Sequence, residues 1–239
     1  MSYKKIIALW LFVSLQTASM PSSAETQTVY IQAGADNTLY EDPAGSVSNG
    51  EGAILLSGRT NNEVGSIRRA VLYFDVAGEL PYGAVVEAAS LHLYLERGNG
   101  GVRELRLHRL NTDWGEGGSQ VNGGGLGAQA EPGDATWLHT FYPDAFWGRD
   151  GGQYIGRVSA VQAVGDPGAA IDTPGPYTWD STSRLVDDVR RWLRKPDQNF
   201  GWILIGDESV SQTVKRFSSR ENVTPGLQPM LEVTYSIPE

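Results

Sequence analysis

The chain has 239 residues, a formal net charge of −9 at pH 7 and no cysteine. The negative charge repels nucleic acid at long range, so we expect no nucleic-acid partner. Disulfides and thiol catalysis are excluded, so stability must come from core burial, hydrogen bonds or a bound metal ion.

The N-terminal segment has the layout of a secretory signal peptide. Lys4 and Lys5 form a positive region, residues 6–15 an apolar core, and residues 22–24 a small-residue cleavage site. The apolar core is too short to cross a bilayer, and no later segment is long and apolar enough. We therefore expect residues 1–24 to be removed on export and the protein to be extracellular or periplasmic, without a membrane span. The alternatives are an uncleaved anchor or a buried helix.

Residues 25–239 have the pattern of a single all-β domain. Short apolar runs rich in β-branched and aromatic residues alternate with polar positions, and turns rich in glycine, asparagine and proline separate them. The predicted strands span residues 29–31, 53–56, 70–74, 89–95, 104–110, 200–205, 213–217 and 230–235. Many short strands with such turns predict an antiparallel jelly-roll β-sandwich.

One short amphipathic helix interrupts the strand pattern. Its apolar residues recur at helical spacing, and they are Leu185, Val186, Val189, Trp192 and Leu193. Pro196 ends the helix, and the basic residues before it suit the negative end of the helix dipole. We interpret these basic residues as a solvated helix end: Arg190, Arg191, Arg194 and Lys195.

Between residues 111 and 179 the periodicity weakens and glycine becomes frequent. This stretch predicts a long Gly/Trp-rich insertion that is partly structured. Trp114, Trp137 and Trp147 lie in it, flanked by glycine, aspartate and threonine. We expect these rings to be exposed and to stack on sugar rings. The alternative is that they plug the end of the sandwich.

The sequence offers no constellation typical of an enzyme. It has no nucleophile-elbow motif, and His92, His108 and His139 stand alone rather than at metal-ligand spacing. His92 and His108 occupy outward positions of predicted strands, where a half-exposed histidine is ordinary. We therefore predict a protein without catalytic activity.

Hard oxygen ligands gather in an early segment that we interpret as a loop, residues 36–51. Asp36 and Asn49 are the candidate ligands of a structural calcium ion, because calcium prefers carboxylate and amide oxygens. The alternative is that these residues serve only the turns that aspartate and asparagine favour.

Arginines and a carboxylate border two strand-like segments that are far apart in the chain. We expect folding to place residues 68–75 beside residues 200–221, with Arg69 and Glu221 paired as guanidinium and carboxylate. Arg220 is assigned to the same structural contact. Such a pair would fix the register of adjoining strands.

A second interpretation assigns the neighbouring basic residues to a ligand. Arg68, Lys215 and Arg216 would form, with Arg220, a basic patch for an acidic polymer. The overall negative charge weakens long-range attraction to such a polymer, but short-range arginine contacts survive it.

At these residues the chain resembles the DNRLRE domain family, which is grouped with carbohydrate-binding module family 96. The residues that carry the resemblance are Asp36, Asn49, Arg69, a leucine (Leu72 or Leu91), Arg220 and Glu221. The resemblance covers nearly all of the chain after the signal segment. It implies an extracellular jelly-roll β-sandwich, often attached to polysaccharide-degrading enzymes, with alginate-type binding in some members.

These observations favour a secreted, non-catalytic carbohydrate-binding module. Its expected ligand is an extracellular polysaccharide, with acidic, alginate-like polymers as candidates, and polysaccharide-degrading enzymes acting in trans are candidate partners. One alternative is a structural or adhesive exoprotein of the cell surface or matrix. A less favoured alternative is a polysaccharide lyase with a tyrosine or histidine base.

Overall fold

The structure, a computed structural model, describes residues 25–121 and 125–238. The predicted signal peptide, residues 1–24, lies outside the described residues. Antiparallel strands dominate, which confirms the predicted all-β fold. The strands are β1 (Thr26–Gln32), β2 (Ala35–Tyr40), β3 (Val47–Ser48), β4 (Ile54–Arg59), β5 (Ile67–Tyr73), β6 (Val85–Asn99), β7 (Arg103–Leu110), β8 (Ala128–Gln129), β9 (His139–Phe141), β10 (Ala145–Phe146), β11 (Tyr154–Val164), β12 (Ile171–Asp172), β13 (Gly175–Trp179), β14 (Trp202–Ile205), β15 (Lys215–Ser218) and β16 (Met230–Ser236).

A 12-stranded sheet turns a corner at β4. Its main path runs β1-β16-β6-β15-β4-β5-β14-β7-β11, with β12 and β13 beside β6 and β2 beside β5. Residues 54–57 of β4 pair with β15, whereas Gly58 and Arg59 pair with β5. The two halves of the curled sheet therefore pack face to face as the two layers of a sandwich.

Alternating side chains of long strands fill the space between the layers. Leu91, Leu93 and Leu95 of β6 are buried against Leu72 of β5 and Trp202 of β14. Leu72 and Trp202 are also register partners, so the predicted approach of the early and late segments is confirmed for β5 and β14. The period-two pattern thus identified the core face correctly.

The predicted amphipathic helix is α2 (Ser183–Arg194), and its apolar face packs into the same core. A short turn of helix, α1 (Val76–Glu79), was not expected; Asp75 caps it through a bond from Gly78 N. A 3₁₀ turn, Pro196–Gln198, follows α2. Within the described residues, no helix has both the length and the apolar character needed to span a membrane.

Two parts of the chain differ from the sequence expectation. The region between residues 111 and 179 is only partly an insertion, because β11 and β13 belong to the main sheet. Asp36 and Asn37, expected in a loop, lie fully buried in β2. Both are hydrogen-bonded to segments distant in sequence, which a local pattern cannot show.

Candidate functional site

A groove lined mainly by arginine lies between α2 and β11. Its volume is about 410 Å³. The lining residues come from β7, β11 and α2, and they are Arg109, Ile155, Arg157, Ser159, Arg184, Asp187, Asp188, Arg191 and Arg194. Five arginines and two aspartates give the groove a formal charge of +3, in a chain whose net charge is −9. We call this feature the arginine groove.

Helix α2 brings three of these arginines onto one face. Its opposite face is buried through Leu185, Val186, Val189 and Trp192. Arg184, Arg191 and Arg194 follow one another by seven and three residues, so they form a stripe along the helix. Burial of the apolar face therefore fixes where the arginine stripe lies.

The start of α2 is tied directly to β11. Thr182 Oγ1 donates to the carbonyl oxygen of Ser159 at 2.5 Å and accepts from Leu185 N at 3.0 Å. A side-chain cap of this kind stabilises a helix by about 1 kcal/mol. Here it also fixes one end of the groove.

Asp188 is the less exposed acid of the groove and anchors three neighbours. It accepts from Ser159 Oγ at 2.5 Å and from Trp202 Nε1 at 3.0 Å, and its Oδ1 lies 2.9 Å from Arg109 Nε. Burial raises the pKa of Asp188, while these donors and the charge of Arg109 oppose the rise. Because Arg109 balances this acid, the positive excess comes from the other four arginines.

These four arginines have donors available to an anion. Arg157, Arg184 and Arg194 are exposed, and Arg191 is half-buried. Among the described residues, none of the four forms a salt bridge with a carboxylate, although Arg191 donates to Gln198 Oε1. Guanidinium groups bind carboxylates and sulfates through paired hydrogen bonds, so the arginine groove fits an acidic ligand.

The expectation that Trp114 and Trp147 are exposed is wrong. Their exposed fractions are 8% and 5%, and each indole nitrogen donates to a backbone carbonyl at 2.9 Å, of Phe200 and Thr136 respectively. Both rings fill the second apolar cluster, which lies on the outer side of β5 and β14. They plug the fold instead of offering a flat surface to a sugar.

Trp137 is half-buried, and its ring is covered by Arg69. The guanidinium carbon lies 4.8 Å from the ring centre, while Nε and Nη2 donate to Glu208 at 2.7 and 2.9 Å. The expected Arg69–Glu221 pair is therefore wrong. Glu208 follows β14, where Ile205 is the register partner of Arg69, whereas Glu221 follows β15, which pairs with β4 and β6.

The basic patch expected from the neighbouring residues does not form. Arg68 is 2% exposed and donates to three backbone carbonyls. Lys215 is completely buried in an ion pair with Asp172, and Arg216 pairs with Glu96 at 2.8 Å. Arg68 and Lys215 cannot reach a polymer because burial and internal partners hold them.

The two predicted calcium ligands lie in different surroundings. Asn49 Oδ1 accepts from Val121 N at 2.9 Å and Nδ2 donates to Ile54 O at 3.2 Å, so both polar atoms are used within the protein. Asp36 Oδ2 accepts from Arg220 N at 2.8 Å. Asp36 also lies close to the carboxylates of Glu116 and Glu221.

A second cleft lies beyond the C-terminal end of α2. Its volume is about 350 Å³, and it begins at Pro196, two residues after Arg194. Aromatic and acidic side chains line most of it. Besides Pro196, the lining residues are Ala35, Tyr73, Asp113, Trp114, Asp197, Asn199 and Phe200. We call this feature the aromatic cleft.

Sequence reasoning found only part of the arginine groove. It noted Arg191 and Arg194 as a basic helix end but did not predict β11, which contributes Arg157. The available signal was the recurrence of arginine at 184, 191 and 194 along one helix face. Pairing that stripe with β11 required the fold.

A scan against models of known protein families and a search of the curated proteins find no match to this chain. The resemblance to the DNRLRE family therefore stays a prediction.

Proposed function

We propose that the protein is a secreted, non-catalytic binding module for an acidic extracellular polysaccharide, and that the arginine groove holds the acidic groups. The observation that carries this proposal is the concentration of five arginines in one groove of a negatively charged chain. An excess of one sign within a concave surface raises the local concentration of oppositely charged ligands.

The shape of the groove supports a polymer ligand. Exposed Arg157 and Arg184 leave it accessible from solvent, and Arg194 extends the positive stripe toward the end of α2. A uronate chain carries a carboxylate on each acidic ring, so successive rings can meet successive arginines. Paired arginine–carboxylate contacts would fix the orientation of the chain.

The aromatic cleft supports a sugar rather than a simple anion. It begins at Pro196, two residues after the last groove arginine in the chain, and offers the partly exposed rings of Tyr73 and Phe200. Aromatic rings pack against the apolar faces of sugars, while Asp113 and Asp197 can accept bonds from hydroxyl groups. One sugar polymer can therefore bind arginines in the arginine groove and pack against aromatic rings in the aromatic cleft.

The remaining parts of the proposal come from the sequence. Export follows from the signal-peptide pattern of residues 1–24. Enzymes that degrade the same polysaccharide, acting in trans, are the proposed partners.

Affinity electrophoresis in gels containing alginate, polygalacturonate or a neutral glucan tests this function. We expect retardation by the acidic polymers and none by the neutral glucan. The double variant Arg157→Ala/Arg184→Ala should lose most of the retardation, because two exposed charges leave the groove. Arg97→Ala on β6 is a suitable control, because it removes an exposed arginine from outside the groove.

Three results would contradict the proposal. If the mobility of the protein is unchanged in every acidic polymer, the proposed ligand class is wrong. If the groove variant and Arg97→Ala lose retardation equally, the proposed site is wrong. New unsaturated ends in the polymer after incubation would show lyase activity and overturn the non-catalytic assignment.

A further inference from the structure

Three carboxylates from distant parts of the chain converge on Arg220. Asp36 is the second residue of β2, Glu116 lies between β7 and β8, and Glu221 follows β15. One carboxylate oxygen from each acid lies within 4.8 Å of the others. We call this group the acidic cluster.

Arg220 compensates only part of the negative charge. Its Nε and Nη2 donate to Glu116 at 2.7 and 2.6 Å, its Nε lies 2.8 Å from Glu221 Oε1, and its backbone N donates to Asp36. Three ionised carboxylates and one guanidinium would leave a formal charge of −2. Glu116 uses both oxygens on Arg220, so the remaining charge falls on Asp36 and Glu221.

Buried oxygens without hydrogen-bond partners are a second, independent observation. The Asp36 side chain is completely buried, and its Oδ1 accepts no hydrogen bond. Both carboxylate oxygens of Glu221 are likewise buried without a hydrogen bond, although Oε1 lies in an ion pair with Arg220. Leaving a completely buried charged oxygen such as Asp36 Oδ1 unpaired costs several kcal/mol, so a missing partner is indicated.

The pKa values of two acids in the cluster show the same imbalance. Burial, and then the charge of Glu221, raise the pKa of Asp36 well above its ordinary value. Burial, and then the charge of Glu116, raise the pKa of Glu221. Either a proton shared by the carboxylates or a metal cation would relieve this repulsion. The two alternatives are distinguished by whether the cluster binds a metal ion.

We propose that a divalent cation, calcium, binds in the acidic cluster between Asp36, Glu116 and Glu221. Calcium takes six to eight oxygen ligands and accepts carboxylates together with water. Glu116 is 15% exposed and Arg220 36%, so the cluster is open to the ion and its water ligands on one side. The charge of the ion matches the formal excess of −2.

This site would do in a cysteine-free chain what a disulfide does elsewhere. It would join β2, the segment after β7 and the turn after β15, which are distant in sequence. The proposal stands on residues outside the arginine groove, so it neither needs nor supports polysaccharide binding.

Calorimetry on protein freed of metal with a chelator and dialysed tests the site. Titration with calcium chloride should show one ion per chain, and calcium should raise the Tm by about 5 °C or more at saturating concentration. Glu221→Gln should abolish both the heat and the Tm shift. Glu104→Gln, an exposed carboxylate paired with Arg106, should keep both.

Absence of heat with calcium in the wild-type chain, together with a Tm unchanged by the chelator, would overturn the proposal in favour of a shared proton. Calcium binding of equal stoichiometry in Glu221→Gln would place the ion elsewhere and also overturn it. If Glu221→Gln does not fold, the wild-type titration and the chelator melt still decide.

Discussion

The arginine groove and the acidic cluster each gather charge of one sign, but they differ in burial. In the groove, the excess lies on exposed guanidinium groups such as those of Arg157 and Arg184. In the cluster, the excess lies on Asp36 and Glu221, whose oxygens are buried. Exposed excess charge is hydrated and costs little, so it is free to meet a polymer, whereas buried excess charge demands a partner in the folded state itself.

A balanced buried pair gives the reference for this comparison and the largest expected effect. Lys215 and Asp172 are both completely buried, and Lys215 Nζ also donates to the carbonyls of Asn99 and Gly101 at 2.9 and 2.6 Å. Lys215→Met leaves the Asp172 carboxylate without its cation. We expect the free energy of unfolding, measured in urea, to fall by about 3–5 kcal/mol.

The matched control for that variant is Arg216→Met on the same strand. Arg216 pairs with Glu96, but 37% of its side chain is exposed, so solvent can replace the pair. We expect a loss below about 1 kcal/mol. Similar losses in the two variants would show that burial is not what separates costly from inexpensive charges.

A second, intermediate effect separates stability from binding within the arginine groove. Asp188→Asn removes a charge that accepts from Ser159 and Trp202 and balances Arg109. Urea unfolding should show a loss of about 1–3 kcal/mol. Affinity for polygalacturonate should stay the same or increase, because the groove becomes more positive. Weaker binding by a folded Asp188→Asn variant would contradict a role for net positive charge.

The smallest effect concerns pH. Burial lowers the pKa of His108, whose Nδ1 lies 3.1 Å from Ile155 O, and the charges of Arg106 and Arg149 lower it further. The unfolded chain therefore takes up a proton more readily than the folded one, so the contribution of His108 to stability falls as the pH drops below about 6.5. Stability of His108→Asn, measured in urea from pH 8 to 5, should fall less than that of the wild type. Parallel curves would contradict this assignment.

The strand pattern could be predicted because it is local. In β6, the alternation of Leu91, Leu93 and Leu95 with polar residues is visible in the sequence and marks the buried face. Helix α2 was equally readable, from its apolar spacing and from Pro196. Both signals need only neighbouring residues.

What could not be predicted depends on distant partners. Asn37 is buried in β2 because its Nδ2 donates to Glu116 O at 3.0 Å, across 79 residues of chain. His108, expected on an outward face, is buried because β11 covers it and its ring packs 5.0 Å from Tyr154. No local pattern announces such a cover.

The candidate site divides in the same way. Arginines of α2 were visible as a basic helix end, but Arg157 joins them only because β11 pairs with β7. Of the three acids in the acidic cluster, the sequence indicated only Asp36 as a metal ligand, because only folding brings Glu116 and Glu221 next to it. Charge can be counted from a sequence, whereas its local balance cannot.

The most direct test of the proposed function measures polymer binding against salt concentration. Charge reversal at Arg184→Glu should weaken binding of polygalacturonate by about tenfold or more and reduce its dependence on salt, while Arg97→Glu outside the groove should change neither. Equal weakening by the two reversals, or binding by the wild type that does not respond to salt, would contradict the assignment of the arginine groove as the binding site.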